Sequence, residues 1–156
     1  GARLVMTDGR TARQLAADTG VADVTVFDRV VQFADAGWAP GQALAYATSR
    51  GASESWAQQS AAWLHALGFT PLRVADTPGL VVARTVAMLI NEASDAVQQG
   101  VCSEAGADAA MKLGVNYPAG PFEWLARWSA GGVVSVLTAL DACYRGERYR
   151  VSPRLT

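Results

Sequence analysis

Apolar and polar positions follow two different rhythms along the 156 residues of the chain. In the first half, short β-like runs alternate with helical patterns. Residues 3–6 form a short apolar run closed by Asp8-Gly9, and residues 24–27 form a β-branched run. Residues 43–47 and 72–75 are the third and fourth strand candidates. Between the first two runs, residues 11–19 place Ala and Leu on one face and end at Gly20, the expected helix stop. Ser53 and Glu54 open a longer helix over residues 55–67, closed by Gly68. A strand, helix, strand order predicts an α/β unit with a mostly parallel sheet over residues 1–76. That is about half the size of a full doubly wound dinucleotide domain.

After Thr77-Pro78-Gly79 the period becomes helical throughout. Leu80, Val82, Val86, Leu89, Ile90 and Ala93 recur on one face of a helix over residues 80–99, and Gly100 follows as its stop. Ser103 occupies an N-cap position, where its hydroxyl can accept an orphan N–H of a helix reaching Met111 or Leu113, before Gly114. Residues 116–121, Asn-Tyr-Pro-Ala-Gly-Pro, read as a turn. Two further helices are predicted over residues 122–128 and 133–144, separated by Gly131-Gly132. The second part, residues 77–156, is therefore an all-helical domain, with the boundary near Asp76.

Composition narrows the function. The chain is 51% hydrophobic and 17% charged, with a net charge of −1, the make-up of a packed core and not of a disordered chain. Twelve Arg and one Lys against fourteen acids, with no basic run, leave no electrostatic footprint for nucleic acid. Arg84, Asn91, Glu92 and Asp95 interrupt the longest apolar stretch, which excludes a membrane span. Cys102 and Cys143 are too few for a disulfide framework, and free thiols in a reducing cytoplasm are the expectation. With His65 the sole histidine, no imidazole metal cluster is available. A start at Gly-Ala-Arg reads as a piece of something longer.

Candidate chemistry is sparse. Gly9 is the one candidate for a phosphate-cradling turn, but a dinucleotide loop needs three glycines, and Arg10 stands where a second belongs. Arg10 and Arg13 at a helix start either hold an anion or are solvated. His65, without a carboxylate orienter nearby in sequence, reads as a partly exposed helix-end residue. Asn91 and Glu92 on an apolar helix are either buried partners for helix ends or members of a site. Burial with satisfaction is the better reading, because an unpaired buried group costs roughly 1 to 3 kcal/mol. Tyr117, Phe122, Trp124, Trp128 and Tyr144 either line a pocket or form core, and helical spacing favours core. Trp128 is the expected anchor of the helical half.

Ordered sequence blocks carry a resemblance across residues 3–156. They run from Asp76-Thr77-Pro78-Gly79-Leu80-Val81-Val82-Ala83-Arg84 through Leu89-Ile90-Asn91-Glu92-Ala93 to Asp108-Ala109-Ala110-Met111-Lys112-Leu113-Gly114. They continue in Asn116-Tyr117-Pro118-Ala119-Gly120-Pro121-Phe122-Glu123 and Gly146-Glu147-Arg148-Tyr149-Arg150. These blocks resemble the C-terminal portion of long bacterial 3-hydroxyacyl-CoA dehydrogenases of the phenylacetate-degradation and 3-hydroxybutyryl-CoA type. The run from Leu4 to Thr11 resembles their reduced Rossmann-like domain. The resemblance implies a fold: a small parallel-sheet, reduced Rossmann-like domain followed by an all-α helical domain like the C-terminal domain of 6-phosphogluconate dehydrogenase.

By the same resemblance, the parent oxidises a 3-hydroxyacyl-CoA to the 3-oxoacyl-CoA with NAD as hydride acceptor. A His held by a Glu is the family's base, and an Asn in a Pro-Gly-Phe-x-x-Asn-Arg motif orients the site. Here Ala83 stands at the Asn position, residues 27–38 contain no His, and the Glu would fall near Ala45. No catalytic, cofactor-binding or metal residue is therefore assigned. Pro78, Gly79, Arg84, Asn91, Glu92, Tyr117, Pro118, Gly120 and Pro121 are read as the family's structural motif. The implied role is a degenerate second copy of a duplicated dehydrogenase. Its implied partners are the N-terminal catalytic half of the same polypeptide, a second copy through the helical domain, and the acyl-CoA substrate of the parent. The alternative is a binding module for acyl-CoA or nucleotide, built on Arg10, Arg13 and Arg84, without turnover.

Overall fold

The computed structural model describes residues 1–30 and 40–156, and contacts divide the described chain into two compact units, residues 1–30 with 40–83, and residues 84–156. The first unit contains β1 (Arg3–Met6), α1 (Ala12–Thr19), β2 (Val24–Phe27), β3 (Ala43–Thr48), α2 (Glu54–Ala66) and β4 (Thr70–Arg73). The strands lie in the order β1-β2-β3-β4. β1 pairs with β2 and β3 with β4 in parallel, whereas β2 and β3 run antiparallel. Because the second strand pair is inverted relative to the first, right-handed crossovers place α1 and α2 on opposite faces of the sheet. Side-chain alternation agrees. Val24 and Val26 pack with Ala12 and Leu15 of α1, while Leu44 and Tyr46 pack with Leu64 of α2. Thr25, between the two valines, points to the α2 face and hydrogen-bonds the Ser60 hydroxyl at 3.0 Å.

Three predicted strands fall where expected; the fourth begins two residues earlier than the apolar pattern indicated. Pro71 masks it. A proline lacks the ladder donor and is tolerated in β4 because this is an edge strand, where Pro71 faces Leu44.

Local caps fix most helix starts. Thr11 and Gln14 form a reciprocal capping box on α1, and Ser53 accepts from Trp56 N–H on α2. The second unit holds the rest of α3 (Val82–Gln98), then α4 (Glu104–Gly114), α5 (Pro121–Trp128) and α6 (Ala130–Tyr144). Ser103 caps α4 as predicted, accepting from Gly106 N–H. The glycine pair Gly131-Gly132 does not separate α5 from α6 but lies in the first turn of α6. Ser129 breaks the chain direction there at φ 86° and accepts from Gly132 N–H. Glycine is needed at 132 because a Cβ would come within 2.5 Å of the Trp128 indole. Val133, Val136, Leu137 and Leu140 form a fully buried stripe along α6, the spacing of one helical face. No described helix is long and apolar enough to cross a membrane.

The aromatic expectation is half met. Phe122 and Trp124 are buried, but Tyr144 is 46% exposed, Tyr117 lies at the surface and Trp128 is half-buried. Trp124, not Trp128, is the buried indole of α5, since it faces inward from the helix start fixed by Pro121.

Candidate functional site

In an α/β unit a dinucleotide sits where the first strand turns into the first helix, with its pyrophosphate on the N–H groups of that helix. Those groups can be accounted for one by one in α1. Ala12 N–H donates to Asp76 Oδ1 at 2.7 Å and Arg13 N–H to Asp76 Oδ2 at 2.9 Å. Gln14 N–H donates to the Thr11 hydroxyl and Thr11 N–H to Gln14 Oε1. All four orphan donors of the first turn are satisfied by the chain itself.

The turn before α1 is equally committed. The Arg10 guanidinium is bound by Asp8 at 2.6 Å and Asp18 at 2.9 Å. Burial pushes the Asp8 carboxyl up, but hydrogen bonds and charge from Arg10 outweigh it and hold the carboxyl below its usual value. Arg13 is exposed. Gly9, at φ 108°, accepts the Gly79 N–H through its carbonyl at 3.1 Å. β1 also lies at the edge of the sheet and the strand order never reverses, so no crevice opens between strands diverging from a switch point. These residues do not fit a dinucleotide.

A second carboxylate governs the start of α3. Asp28, fully buried, accepts from Val81 N–H (2.9 Å) and Val82 N–H (2.6 Å) on Oδ2, and from Ala83 N–H (2.9 Å) on Oδ1. Ala83 is itself completely buried, and its methyl group offers no donor or acceptor where the resemblance expects an Asn side chain. Pro78 and Gly79 are buried just before it. The stretch searched for the family's His motif falls largely on residues 31–39, outside the described residues.

Of the remaining motif residues, Asn91, Arg84, Gly120 and Pro121 hold positions in the packing of the helical unit. Asn91 is 2% exposed; its Nδ2 donates to Arg150 O at 2.9 Å and its Oδ1 accepts from Ser152 N–H at 2.8 Å. Burial with satisfaction thus holds for Asn91. Glu92, next along, points to solvent, so the pairing expected of it is absent: one residue turns the helix by about 100° and carries it off the packed face. Arg84 stacks over the Tyr144 ring at 4.9 Å. Gly120 is required because a Cβ there would lie 2.2 Å from Asp108 Oδ1, the oxygen that accepts Phe122 N–H at 2.8 Å. Pro121 follows as the first residue of α5, where its missing N–H costs nothing, while Tyr117 and Pro118 stay exposed. Glu123 closes this corner, accepting from Gly120 N–H and pairing with Lys112. The Lys112 hydrogen bond, then the Gly120 N–H, hold the Glu123 carboxyl below its usual value. His65 is exposed in the last turn of α2. Cys102 is half-buried and Cys143 exposed, both as free thiols.

Sequence reading missed Asp28, Asp76 and Asp108 as helix caps. Each acts on a helix start far away in sequence or across a turn, so no local capping signature announces it.

Comparison with known proteins agrees with this two-part plan. Residues 4–78 match the 3-hydroxybutyryl-CoA dehydrogenase reduced Rossmann-fold domain, and residues 79–156 match the 3-hydroxyacyl-CoA dehydrogenase C-terminal domain. The chain belongs to the 3-hydroxyacyl-CoA dehydrogenase family. It is 39% identical over 147 residues to a 3-hydroxyadipyl-CoA dehydrogenase of Escherichia coli, covering 94% of this chain and 29% of that protein. A solved structure of 3-hydroxybutyryl-CoA dehydrogenase from Escherichia coli superimposes with a TM-score of 0.87 at 38% identity, over 97% of this chain and 30% of that one. The fold is shared at 23% identity, with a TM-score of 0.75, by (S)-3-hydroxybutyryl-CoA dehydrogenase from Ralstonia eutropha, over 99% of this chain and 53% of that one. The chain therefore spans under a third of the length of its Escherichia coli relatives.

Proposed function

We propose that the chain is the C-terminal, non-catalytic part of an NAD-dependent 3-hydroxyacyl-CoA dehydrogenase, whose complete form oxidises 3-hydroxyacyl-CoA to 3-oxoacyl-CoA. Its role is to assemble with the catalytic half and to help close the acyl-CoA site, not to bind NAD itself. Ala83 carries this reading. Oxidation of a hydroxyl needs a base and donors for the developing carbonyl oxygen. A buried methyl group supplies neither, and the adjoining N–H groups are already held by Asp28. The closed first turn of α1 supports the same conclusion for the cofactor. Assembly is supported by apolar side chains left at the surface of the helical unit, Leu113 at 87% and Val115 at 55% exposure.

Isothermal calorimetry with NADH and acetoacetyl-CoA tests this directly. No heat of binding and no NADH consumption are the expected results; turnover overturns the proposal, and binding without turnover replaces it with a binding module. Light scattering at micromolar concentration should give a mass above that of the monomer. A strict monomer removes the assembly role from the isolated chain.

A further inference from the structure

We propose that β1 is an interaction edge to which a second copy of the chain adds in antiparallel register, joining two four-stranded sheets into one. This goes beyond the assembly role read from the helical unit and stands apart from it. The two edges of the sheet, β1 and β4, are built differently. In β4, Thr70 and Val74 donate inward to β3, so the backbone groups of Pro71 and Arg73 point outward. Pro71 takes a donor away from that side and blunts it, a common protection of an open edge. In β1, Arg3 and Thr7 donate to β2, and the N–H and C=O groups of Leu4 and Met6 point outward. Among the described residues no strand lies beyond them, and neither position carries proline or charge. Met6 is 44% exposed. An edge with its donors and acceptors intact is a template for another strand.

The strand that fits this template is β1 itself. With a two-fold axis at Val5, Leu4 exchanges both backbone hydrogen bonds with Met6 of the other copy, and Met6 does the same with its Leu4. Every outward N–H and C=O of Leu4 and Met6 is then paired. Side chains match on both faces. Leu4 packs on the α2 side of the sheet, with Met6 on the same face by alternation, while Val5 packs on the α1 side. Leu4 therefore meets Met6, and Val5 meets Val5, as apolar cross-strand pairs. Charge selects the direction. Antiparallel addition sets Arg3 of one copy opposite Thr7 and next to Asp8 of the other, whereas parallel addition would set Arg3 beside Arg3. Four residues a side bury far less than the roughly 1,200 Å² of a permanent interface, so the pair forms and separates with concentration.

Amide hydrogen exchange reads this edge directly, because the N–H groups of Leu4 and Met6 point away from β2. In the wild-type chain both should exchange about tenfold more slowly at millimolar than at micromolar concentration, while Arg3 and Thr7, already bonded to β2, change little. Met6→Pro gives β1 the device that Pro71 supplies on β4. It costs no bond to β2 and should abolish the slowing at Leu4. A mixture of chains, one set labelled at Leu and the other at Met, should show a Leu4–Met6 contact between copies, a readout that needs no variant. Slowing retained in Leu113→Ser supports the inference, since it separates the sheet edge from the helical surface. Fast exchange at Leu4 and Met6 at millimolar concentration overturns it. So does slow exchange in a species of monomer mass, which would mean an edge covered within one copy, and so does slowing that survives in a folded Met6→Pro.

Discussion

The two units of this chain solve the problem of a small core in different ways. The α/β unit covers each face of a four-stranded sheet with one helix, so its apolar core is split into two small clusters. Long-range carboxylates tie it together: Asp76 on α1 and Asp28 on the start of α3. The helical unit has a continuous buried stripe on α6, and its C-terminal residues are sewn to α3 by Asn91 and by Arg150 on Asp95 at 2.5 Å, while buried Tyr149 lies against Tyr144 of α6. Where apolar area is limited, directional bonds to charged groups take over a larger share of the work, at roughly 1.5–3 kcal/mol each when buried.

That contrast can be broken from either side. The largest effect is expected from Trp124→Ala, which should cost the helical unit about 3–5 kcal/mol; Trp128→Ala, at a half-buried position, should cost clearly less. Denaturant unfolding followed by helix signal compares them, and equal losses would show that α5 packs differently. Trp124→Phe is the finer probe. It keeps a six-membered aromatic ring and removes an indole N–H that is buried without a partner, which offsets part of the cavity it leaves, so it should cost clearly less than Trp124→Ala.

Next in size is Asp28→Ala, at about 3 kcal/mol, because three backbone donors lose their acceptor at once. Hydrogen exchange should speed up at residues 81–83 first; unchanged protection there would show that another group caps α3. Asn91→Ala should cost about 2 kcal/mol and free the C-terminal residues, read as faster exchange at Ser152. The carbonyl of Arg150 and the N–H of Ser152 both lose their partner in that variant.

The smallest effect belongs to Lys112→Met and depends on pH. Glu123 has a folded-state pKa below its usual value of 4.5, so its stabilisation is present above that value and lost as pH falls through the lowered one. The wild type should melt slightly higher than Lys112→Met at pH 7, with the gap closing as the pH falls below 4.5 and the Glu123 carboxylate is protonated. A gap independent of pH would mean that the Lys112 stem, not its charge, matters.

Much of the helical architecture was legible from the residues alone. Ser53, Ser103 and Thr11 each stand three residues before the N–H they receive, so the start of α2, α4 and α1 follows from local chemistry. Gly20 takes the left-handed conformation that its place after α1 implied. Pro71 hid the true start of β4, because only the pairing with β3 shows that it lies at an edge.

For the candidate site, sequence determined what is missing: Ala83 in place of an amide side chain, and Arg10 in place of a second glycine. Composition and spacing settle such absences, since no folding can add a donor to a methyl group. Tertiary structure decided what fills the place. Asp76 and Asp28 look like ordinary surface acids in the sequence, and only the packed chain brings them within 3 Å of the N–H groups of α1 and α3. The reason is range. A local cap is written within one turn of its helix, whereas a carboxylate that reaches 53 to 64 residues away depends on the register of the sheet and the path of residues 76–83.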